Sequence, residues 1–543
     1  MENSSLTDVL LVGFEAQNNL GLRSIMAVLS ERGWKARLLS LSEVSQQELL
    51  DAIRTYRPKL VGFSIIFQYA LEDFAGLMRF LRENGVNQHF TAGGHFPSLR
   101  PEEILDAIPQ LDSIVRHEGE FTLPELLQQL DHPETWQNIQ GLAFRQAGRV
   151  VCSAPRHLIE DLDSLPPIDY GPPRLMGKNL KSLPVLASRG CLFDCAFCSI
   201  RQFYGGAPGS LRRMRSPEHF VNEMRRLYEQ QDVRVFIFQD DDFAARTPAQ
   251  RRWLEAFLKA MDRASLTGQV AWKISCRVDD LNEQVLADCK ARGLAVVYLG
   301  VESGSQMGLR TLNKHVSVDQ NLAAIQLLKK TGLTTGLGFM MFDPSSSFVT
   351  IQENIAFLRK AAGDGAFPIN FCKMLPYAGT PIEEALRREG RLTGSLARPD
   401  YHFLDPRVDL YVSLTHRVLA RRNFDSLGLA NRLTLAHANQ ALNRTVGICP
   451  PSDLDRQRLW EITARSNASV LTTLEDLLPI AQEEPEQDVF IDLAKREWEC
   501  ESTCIIDLDD LLLESDPELL QFFGLDIVER EERLQAAVKD AQR

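Results

Sequence analysis

The stretch Cys191-Leu192-Phe193-Asp194-Cys195-Ala196-Phe197-Cys198 constrains this chain more than any other, because it sets three cysteines in the spacing C-x3-C-x2-C. Soft thiolate sulfur suits iron, and so short a loop keeps the sulfurs together. Cys191, Cys195 and Cys198 can therefore hold three irons of a cubic [4Fe-4S] cluster. The fourth iron is left without a protein ligand and open to a substrate or cofactor. The alternative is a closed zinc site, which needs a fourth ligand close by, and the nearest histidine, His219, lies in a later segment.

At 543 residues the chain has room for about three domains of ~150 residues. A composition of 44% hydrophobic and 24% charged residues reads as globular. The net charge of -13 argues against a nucleic-acid partner, which would need a concentrated basic surface. Met1-Glu2-Asn3-Ser4-Ser5 lacks the basic and apolar parts of a signal peptide. No apolar run approaches the ~20 residues of a membrane span, so a cytoplasmic protein is expected. Ten cysteines are too sparse for a disulfide scaffold, and the three clustered ones must stay reduced to bind iron.

From Asp8 onward short apolar runs alternate with amphipathic stretches, the pattern of βαβ units on a parallel sheet. Strands are predicted at Val9-Phe14, Lys35-Leu39, Leu60-Ser64, His89-Ala92 and Ser113-Arg116, with helices between them on both faces of a doubly wound, Rossmann-like sheet. Ligands of such sheets bind beyond the carboxyl ends of the strands. The candidates there are Asn19, Leu20 and Gly21, then Ser64, Phe67 and Gln68, then Gly93, Gly94 and His95, then Glu118, Gly119 and Glu120. No G-x-G-x-x-G or G-x-x-x-x-G-K-[ST] appears, so neither a dinucleotide nor a nucleoside triphosphate is supported. A hairpin is expected around Gln146-Ala147-Gly148-Arg149, followed by the stiff, proline-rich connector Leu165-Pro173.

Beyond the cysteine loop the alternation has a longer period. Strands are predicted at Val185-Ser188, Val233-Gln239, Val270-Cys276, Ala295-Gly300, Thr334-Met341 and Pro368-Leu375, a partial (β/α)6, TIM-like barrel whose functional groups gather at strand ends. Those ends offer Asp240 and Asp241, then Ser275 and Arg277, then Glu302. From about Leu396 the pattern is helical. The expected domains are thus 1–140, a linker over 141–178, a barrel over 179–395 and a helical domain over 396–543. Cys500 and Cys504 share a helix face, with Cys449 as the other nearby cysteine.

The cysteine spacing, with an aromatic Phe197 before the third cysteine, resembles the radical S-adenosylmethionine (SAM) superfamily. In that superfamily the open iron chelates the amino and carboxylate groups of SAM. The resemblance gives Glu302, in Gly300-Val301-Glu302-Ser303-Gly304-Ser305, the SAM ribose. It suggests Arg215, Ser275, Arg277, Asp240 and Asp241 as further SAM contacts. Pro376-Tyr377-Ala378-Gly379-Thr380-Pro381 also matches, whereas Asp343-Pro344 departs from the family's Gly-x-Pro. Asn19-Leu20-Gly21, Gly93-Gly94-His95 and Glu118-Gly119-Glu120 resemble the cobalamin-binding domain of B12-dependent radical SAM enzymes. The D-x-H-x-x-G element is missing, which implies cobalamin bound without a histidine below the cobalt. The bland alternative is a flavodoxin-like domain that packs on the barrel.

What the resemblance implies is a B12-dependent radical SAM enzyme holding a [4Fe-4S] cluster, SAM and cobalamin. The preferred expectation is a C-methyltransferase of specialised metabolism, acting on an unactivated carbon through a 5′-deoxyadenosyl radical and methylcobalamin. The alternatives are a non-methylating oxidative cyclase or ring-forming enzyme and, from another class, a cobalamin sensor or scaffold. The expected partners are a small-molecule or peptide substrate and an external electron donor such as flavodoxin or ferredoxin.

Overall fold

The computed structural model describes residues 7–15, 18–176, 180–243, 245–447, 452–482 and 487–522. Gln17, the expected boundary at 178, Cys449 and the tail from Glu529 lie outside the described residues.

Seven strands form the first sheet, in the order β2-β1-β3-β4-β5-β6-β7. They are β1 (Val9–Gly13), β2 (Ala36–Ser40), β3 (Leu60–Ser64), β4 (His89–Gly93), β5 (Ser113–Val115), β6 (Leu142–Gln146) and β7 (Arg149–Cys152). The first five run parallel, and β1 and β3 are buried along their whole length, as strands covered by helices on both faces must be. Helix Leu20–Glu31 starts where the Asn19 side chain accepts from the Leu22 amide, and helix Gln46–Tyr56 where Ser45 and Glu48 form a capping box. The hairpin β6-β7 adds antiparallel to β5, so residues 142–152 complete this sheet.

The second sheet has the order β16-β15-β14-β13-β12-β9-β8. An antiparallel β8 (Arg174–Met176) edges β9 (Leu180–Val185), and the parallel run continues through β12 (Val235–Phe238), β13 (Ala271–Arg277), β14 (Leu294–Glu302), β15 (Thr334–Phe342) and β16 (Cys372–Lys373). A two-strand ribbon, β10 (Ser188–Arg189) with β11 (Arg213–Met214), stands apart.

Two strands differ from expectation. The first barrel strand ends at Val185, where it was expected to begin. The segment after it leaves the sheet because the Ala187 amide and the Ser188 hydroxyl bond Asp240 and the Gly190 amide bonds Asp241. The last strand shrinks to Cys372–Lys373 because C-terminal side chains take its neighbours' backbone groups. Asn467 accepts from the Ile369 amide at 2.8 Å, Arg422 donates to the Ile369 carbonyl at 3.0 Å and Asn423 to the Phe371 carbonyl at 2.5 Å.

The C-terminal third is helical, with helices Pro406–Leu419, Leu429–Val446, Asp453–Gln482, Gln487–Ser515 and Pro517–Phe522. Helix Leu429–Val446 packs on β13, β14 and β15, and its Ala441 and Leu442 join Leu180, Val235, Ala271, Ala295 and Val296 in one apolar cluster. These are residues from the starts of the strands, so this helix closes the barrel at the end away from the cysteine loop. Cys504 and Cys500 pack with Leu433, Leu459 and Leu508 between the C-terminal helices. No helix of the described residues is long and apolar enough to cross a membrane.

Candidate functional site

The cysteine loop joins the ribbon strand β10 to helix Ser199–Gly205, and its backbone is held from outside: the Ala196 amide donates to the Leu312 carbonyl at 3.0 Å and the Ile382 amide to the Ala196 carbonyl at 3.1 Å. Cys195 is buried, and Cys191 and Cys198 are half-buried. Burial, with carboxylates nearby, pushes the Cys191 thiol up to about 12 and Cys198 to about 11. Burial raises Cys195 as well, opposed by the Lys314 and Arg277 cations. Three thiols that resist ionisation in the bare protein are a donor set that a bound iron centre would deprotonate and satisfy. Among the described residues no three His, Cys, Asp or Glu side chains converge as the ligands of one metal ion do. Three soft thiols on one short loop, with no nitrogen or oxygen ligand gathered beside them among the described residues, fit the irons of a cluster better than a single closed ion.

Arg277 leaves the end of β13 and meets this loop. Its Nη1 lies 3.4 Å from Cys195 Sγ, and its guanidinium sits 3.8 Å from the centre of the Phe193 ring. Nε donates to Asp279 Oδ1 at 3.0 Å and Nη2 to the Lys314 carbonyl at 2.6 Å. With its donors so used, Arg277 is held against the Cys195 sulfur at the end of β13.

Glu302 stands at the end of β14 with a left-handed φ of 68°, an uncommon conformation for a non-glycine residue. Lys314 Nζ donates to its Oε1 at 2.9 Å, and Asn321 Nδ2 holds the flanking Val301 and Ser303 carbonyls at 3.1 and 2.9 Å. Oε2 points toward Gly338, where an added Cβ would lie 3.3 Å away. One pinned oxygen and one facing the barrel interior fit a group that accepts from a ribose diol. Beneath it, buried Asn354 accepts from the Gly304 amide at 2.7 Å and donates to the Met341 carbonyl at 3.1 Å. Asn354→Ala leaves both groups unpaired, so a loss of about 3 kcal/mol is expected in urea unfolding, with SAM binding weakened.

The other expected SAM contacts have structural partners. Asp240 and Asp241 tie down the segment leading into the cysteine loop through Ala187, Ser188 and Gly190. Burial raises the Asp240 carboxyl and brings Asp241 to about 6. They anchor the loop, and the next helix begins at Pro248 behind its own cap, Thr247. Arg215 is committed to Glu223 at 2.6 Å. Ser275 sits on β13 between Lys273 and Arg277, its carbonyl accepting from the Phe243 amide at 2.8 Å.

Where the first sheet's carboxyl ends face the barrel lies a cavity of about 620 Å³. Asn19, Leu20, Gly21, Ser64, Phe67, Gly93, Gly94, His95, Glu118, Gly119 and Glu120 line it, together with Leu186, Arg189, Tyr204, Gln239 and Asp241 from the barrel side. Gln68 does not; its side chain donates to the Leu396 carbonyl at 2.6 Å and accepts from the Ala378 amide at 3.1 Å, riveting the two domains. Gly94 has φ 107° and lies so close to Ile65 that an added Cβ would stand 3.1 Å from its carbonyl oxygen. His95 and His117 flank Phe203, and burial lowers both imidazoles to about 4. The Nε2 atoms of both are buried without a hydrogen-bond partner. Apolar walls, glycine turns and these two orphaned nitrogens fit a large, partly polar cofactor.

Glu118 and Glu120 are bound across the domain junction. Arg189 donates to Glu118 at 2.9 Å and to Glu120 at 2.7 Å, and Arg213 donates to Glu118 at 2.8 Å. Ser24 adds a bond of 2.8 Å to Glu120. Pattern reading missed Arg189, Arg213 and Lys314, since nothing in a lone basic residue announces its partner; only the position of Arg189 just before Cys191 marks it out.

Residues 9–127 match the B12 binding domain family, and residues 185–358 match the Radical SAM superfamily. The chain carries a B12-binding domain followed by a radical SAM domain. These domains take cobalamin, SAM and a [4Fe-4S] cluster, and the chain is a B12-dependent radical SAM enzyme acting through 5′-deoxyadenosyl radical chemistry.

Among similar sequences, an uncharacterized methyltransferase of Pyrococcus horikoshii is 27% identical over 67% of this chain and 77% of its own. An anaerobic magnesium-protoporphyrin IX monomethyl ester cyclase of Cereibacter sphaeroides is 28% identical over 63% of this chain, a match spanning 56% of the cyclase. Among solved structures, the cobalamin-dependent SAM radical enzyme OxsB with aqua-cobalamin bound shares the fold over 99% of this chain and 84% of its own, with TM-score 0.71 and 16% identity. The radical SAM methyltransferase TsrM of Kitasatospora setae matches 71% of this chain and 75% of its own, with TM-score 0.58 and 15% identity.

Proposed function

We propose that this enzyme catalyses a ring-forming or oxidative cyclisation of a small molecule without transferring a methyl group. What carries this reading is the set of sequence relatives, since the likeness to OxsB at 16% identity gives the architecture alone. Three anaerobic cyclases, 26–28% identical, stand among the sequence relatives and support the same reaction class.

When bound, the cofactors supply a 5′-deoxyadenosyl radical and a cobalt centre for steering the substrate radical. The chain's own residues do the rest. Cys191, Cys195 and Cys198 are the proposed cluster ligands. Glu302, pinned by Lys314, holds the ribose, and Asp240 and Asp241 fix the loop. Asn19, Ser64, Gly93, Gly94 and His95 line the proposed cobalamin cavity, and Arg189 with Glu118 and Glu120 locks that cavity against the cluster loop. Helix Leu429–Val446 keeps bulk water from the far end of the barrel, protecting an open-shell intermediate.

Methyl transfer is the second reading, favoured by the resemblance to the uncharacterized methyltransferase of Pyrococcus horikoshii. Incubating the reduced, anaerobic holoenzyme with methyl-deuterated SAM separates the two. Cyclisation is expected to give 5′-deoxyadenosine with no S-adenosylhomocysteine. Formation of S-adenosylhomocysteine in amounts matching 5′-deoxyadenosine would replace this reading with methyl transfer.

A further inference from the structure

Along β13 alternate side chains turn to one face, so Lys273 and Ser275 share the face on which Arg277 reaches Cys195. The register sets Ser275 beside Tyr298 of β14. The neighbouring strand β15 makes room for that ring with two glycines: an added Cβ would lie 3.3 Å from the ring at Gly336 and 3.1 Å from the phenol oxygen at Gly338. Tyr298 is 42% exposed and Cys372 is exposed as well. Yet burial pushes the Tyr298 phenol above its ordinary range and the Cys372 thiol up to about 11. Gly338 faces the Tyr298 phenol and Glu302 Oε2 alike, at 3.1 and 3.3 Å from an added Cβ, so Tyr298 and Glu302 turn to the same inner space of the barrel. Its floor is helix Leu429–Val446 against Ala271 and Val296, and its opposite end carries Arg277 and Glu302 beside the cysteine loop.

Lys273 projects into this space near the floor. Its Nζ lies 5.7 Å from the centre of the Tyr298 ring, and among the described residues it forms no hydrogen bond or ion pair. Burial lowers its pKa, and no carboxylate opposes the shift. Ammonium groups taken out of bulk water are ordinarily paired, because a lone one carries its full desolvation cost. An unpaired cation in a chamber that ends at the cluster loop is the arrangement expected where a ligand brings the counter-charge.

We infer that Lys273 receives an anionic oxygen group of the substrate, a phosphate or a carboxylate, and so fixes the substrate's distal end while its reacting carbon faces Arg277 and Glu302. This inference rests on the reading of the chain as a radical enzyme and names the charge class of what it acts on.

Pyridoxal 5′-phosphate, an aldehyde that carries its own anion, is the probe. The Lys273 amine adds to the aldehyde carbon with loss of water, and borohydride delivers hydride to the resulting C=N bond to leave a stable secondary amine. Peptide mapping of the anaerobic holoenzyme is expected to find Lys273 labelled. Labelling should fall at least about fivefold with saturating inorganic phosphate if the site takes phosphate, or with succinate if it takes carboxylates. The same anion should raise the Tm of the wild type and of Lys273→Arg but not of Lys273→Met. Lys273 left unlabelled while the exposed Lys330 reacts, or labelled equally with and without both anions, would overturn the inference. 5′-Deoxyadenosine formation by the wild type is measured in parallel; its absence would count against the radical reading and not against the labelling result.

Discussion

Cys195→Ala, and equally Cys191→Ala or Cys198→Ala, is expected to abolish 5′-deoxyadenosine formation, a fall of at least about a thousandfold in the SAM-cleavage assay. The loop has no fourth cysteine to substitute: Cys191, Cys195 and Cys198 are its three thiols, and each is proposed to hold one iron. Cys195 carries the sharpest expectation because it also accepts from Arg277 Nη1 at 3.4 Å. Its removal leaves a buried guanidinium short of one acceptor as well as an iron short of one ligand. Hydrogen bonds to cluster sulfurs tune reduction potential. Arg277→Met, which keeps all three cysteines, is therefore expected to assemble the cluster with a lower potential, whereas the cysteine variants lose it. Iron content and a redox titration distinguish the two.

Arg189→Met is expected to cost about 3–5 kcal/mol, because it strips the shared cation from two carboxylates that remain buried. Arg189 is itself almost enclosed, with a side chain 11% exposed against 7% for Glu118 and 4% for Glu120. The sign of the pH dependence should invert. In the wild type burial raises the Glu120 carboxyl, but the Arg189 charge and the bonds from Arg189 and Ser24 outweigh it and hold the pKa below the ordinary value. Glu120 therefore adds stability that is present above the unfolded carboxylate pKa of about 4 and lost as pH falls through the folded one. Without Arg189 the burial effect remains, so the folded pKa lies above the unfolded one. The variant should gain stability on going from pH 7.5 to pH 5, where the wild type does not. Urea unfolding at the two pH values measures this. Because Glu118 and Glu120 belong to the B12-binding domain and Arg189 leads into the cysteine loop, the variant should also bind cobalamin more weakly.

The alternation of apolar runs made both sheets legible, since strands buried on two faces and amphipathic helices leave their periods in the sequence. The three cysteines and Glu302 stand out as candidates for the same reason, since their spacing and neighbours are local. What escaped depends on contacts between distant segments. Val185–Ser188 reads as a strand by composition, yet Asp240 and Asp241 draw the residues after Val185 out of the sheet. Those same aspartates read from the sequence as cofactor contacts, and their hold on Ala187, Ser188 and Gly190 emerges only in the fold. Glu118 and Glu120 sit where a ligand site was expected, and they line it, but their charges answer arginines far along the chain. Lys273 reads as one lysine in a strand, because only the closed barrel leaves it without a hydrogen bond or ion pair among the described residues.

The most direct test of the account is Mössbauer spectroscopy of anaerobic protein reconstituted with isotopically enriched iron, with and without SAM. The expected result is a [4Fe-4S] spectrum in which SAM changes the signal of one iron and leaves the other three alone. A spectrum that SAM does not alter, or protein that takes up zinc in place of the cluster, would contradict it.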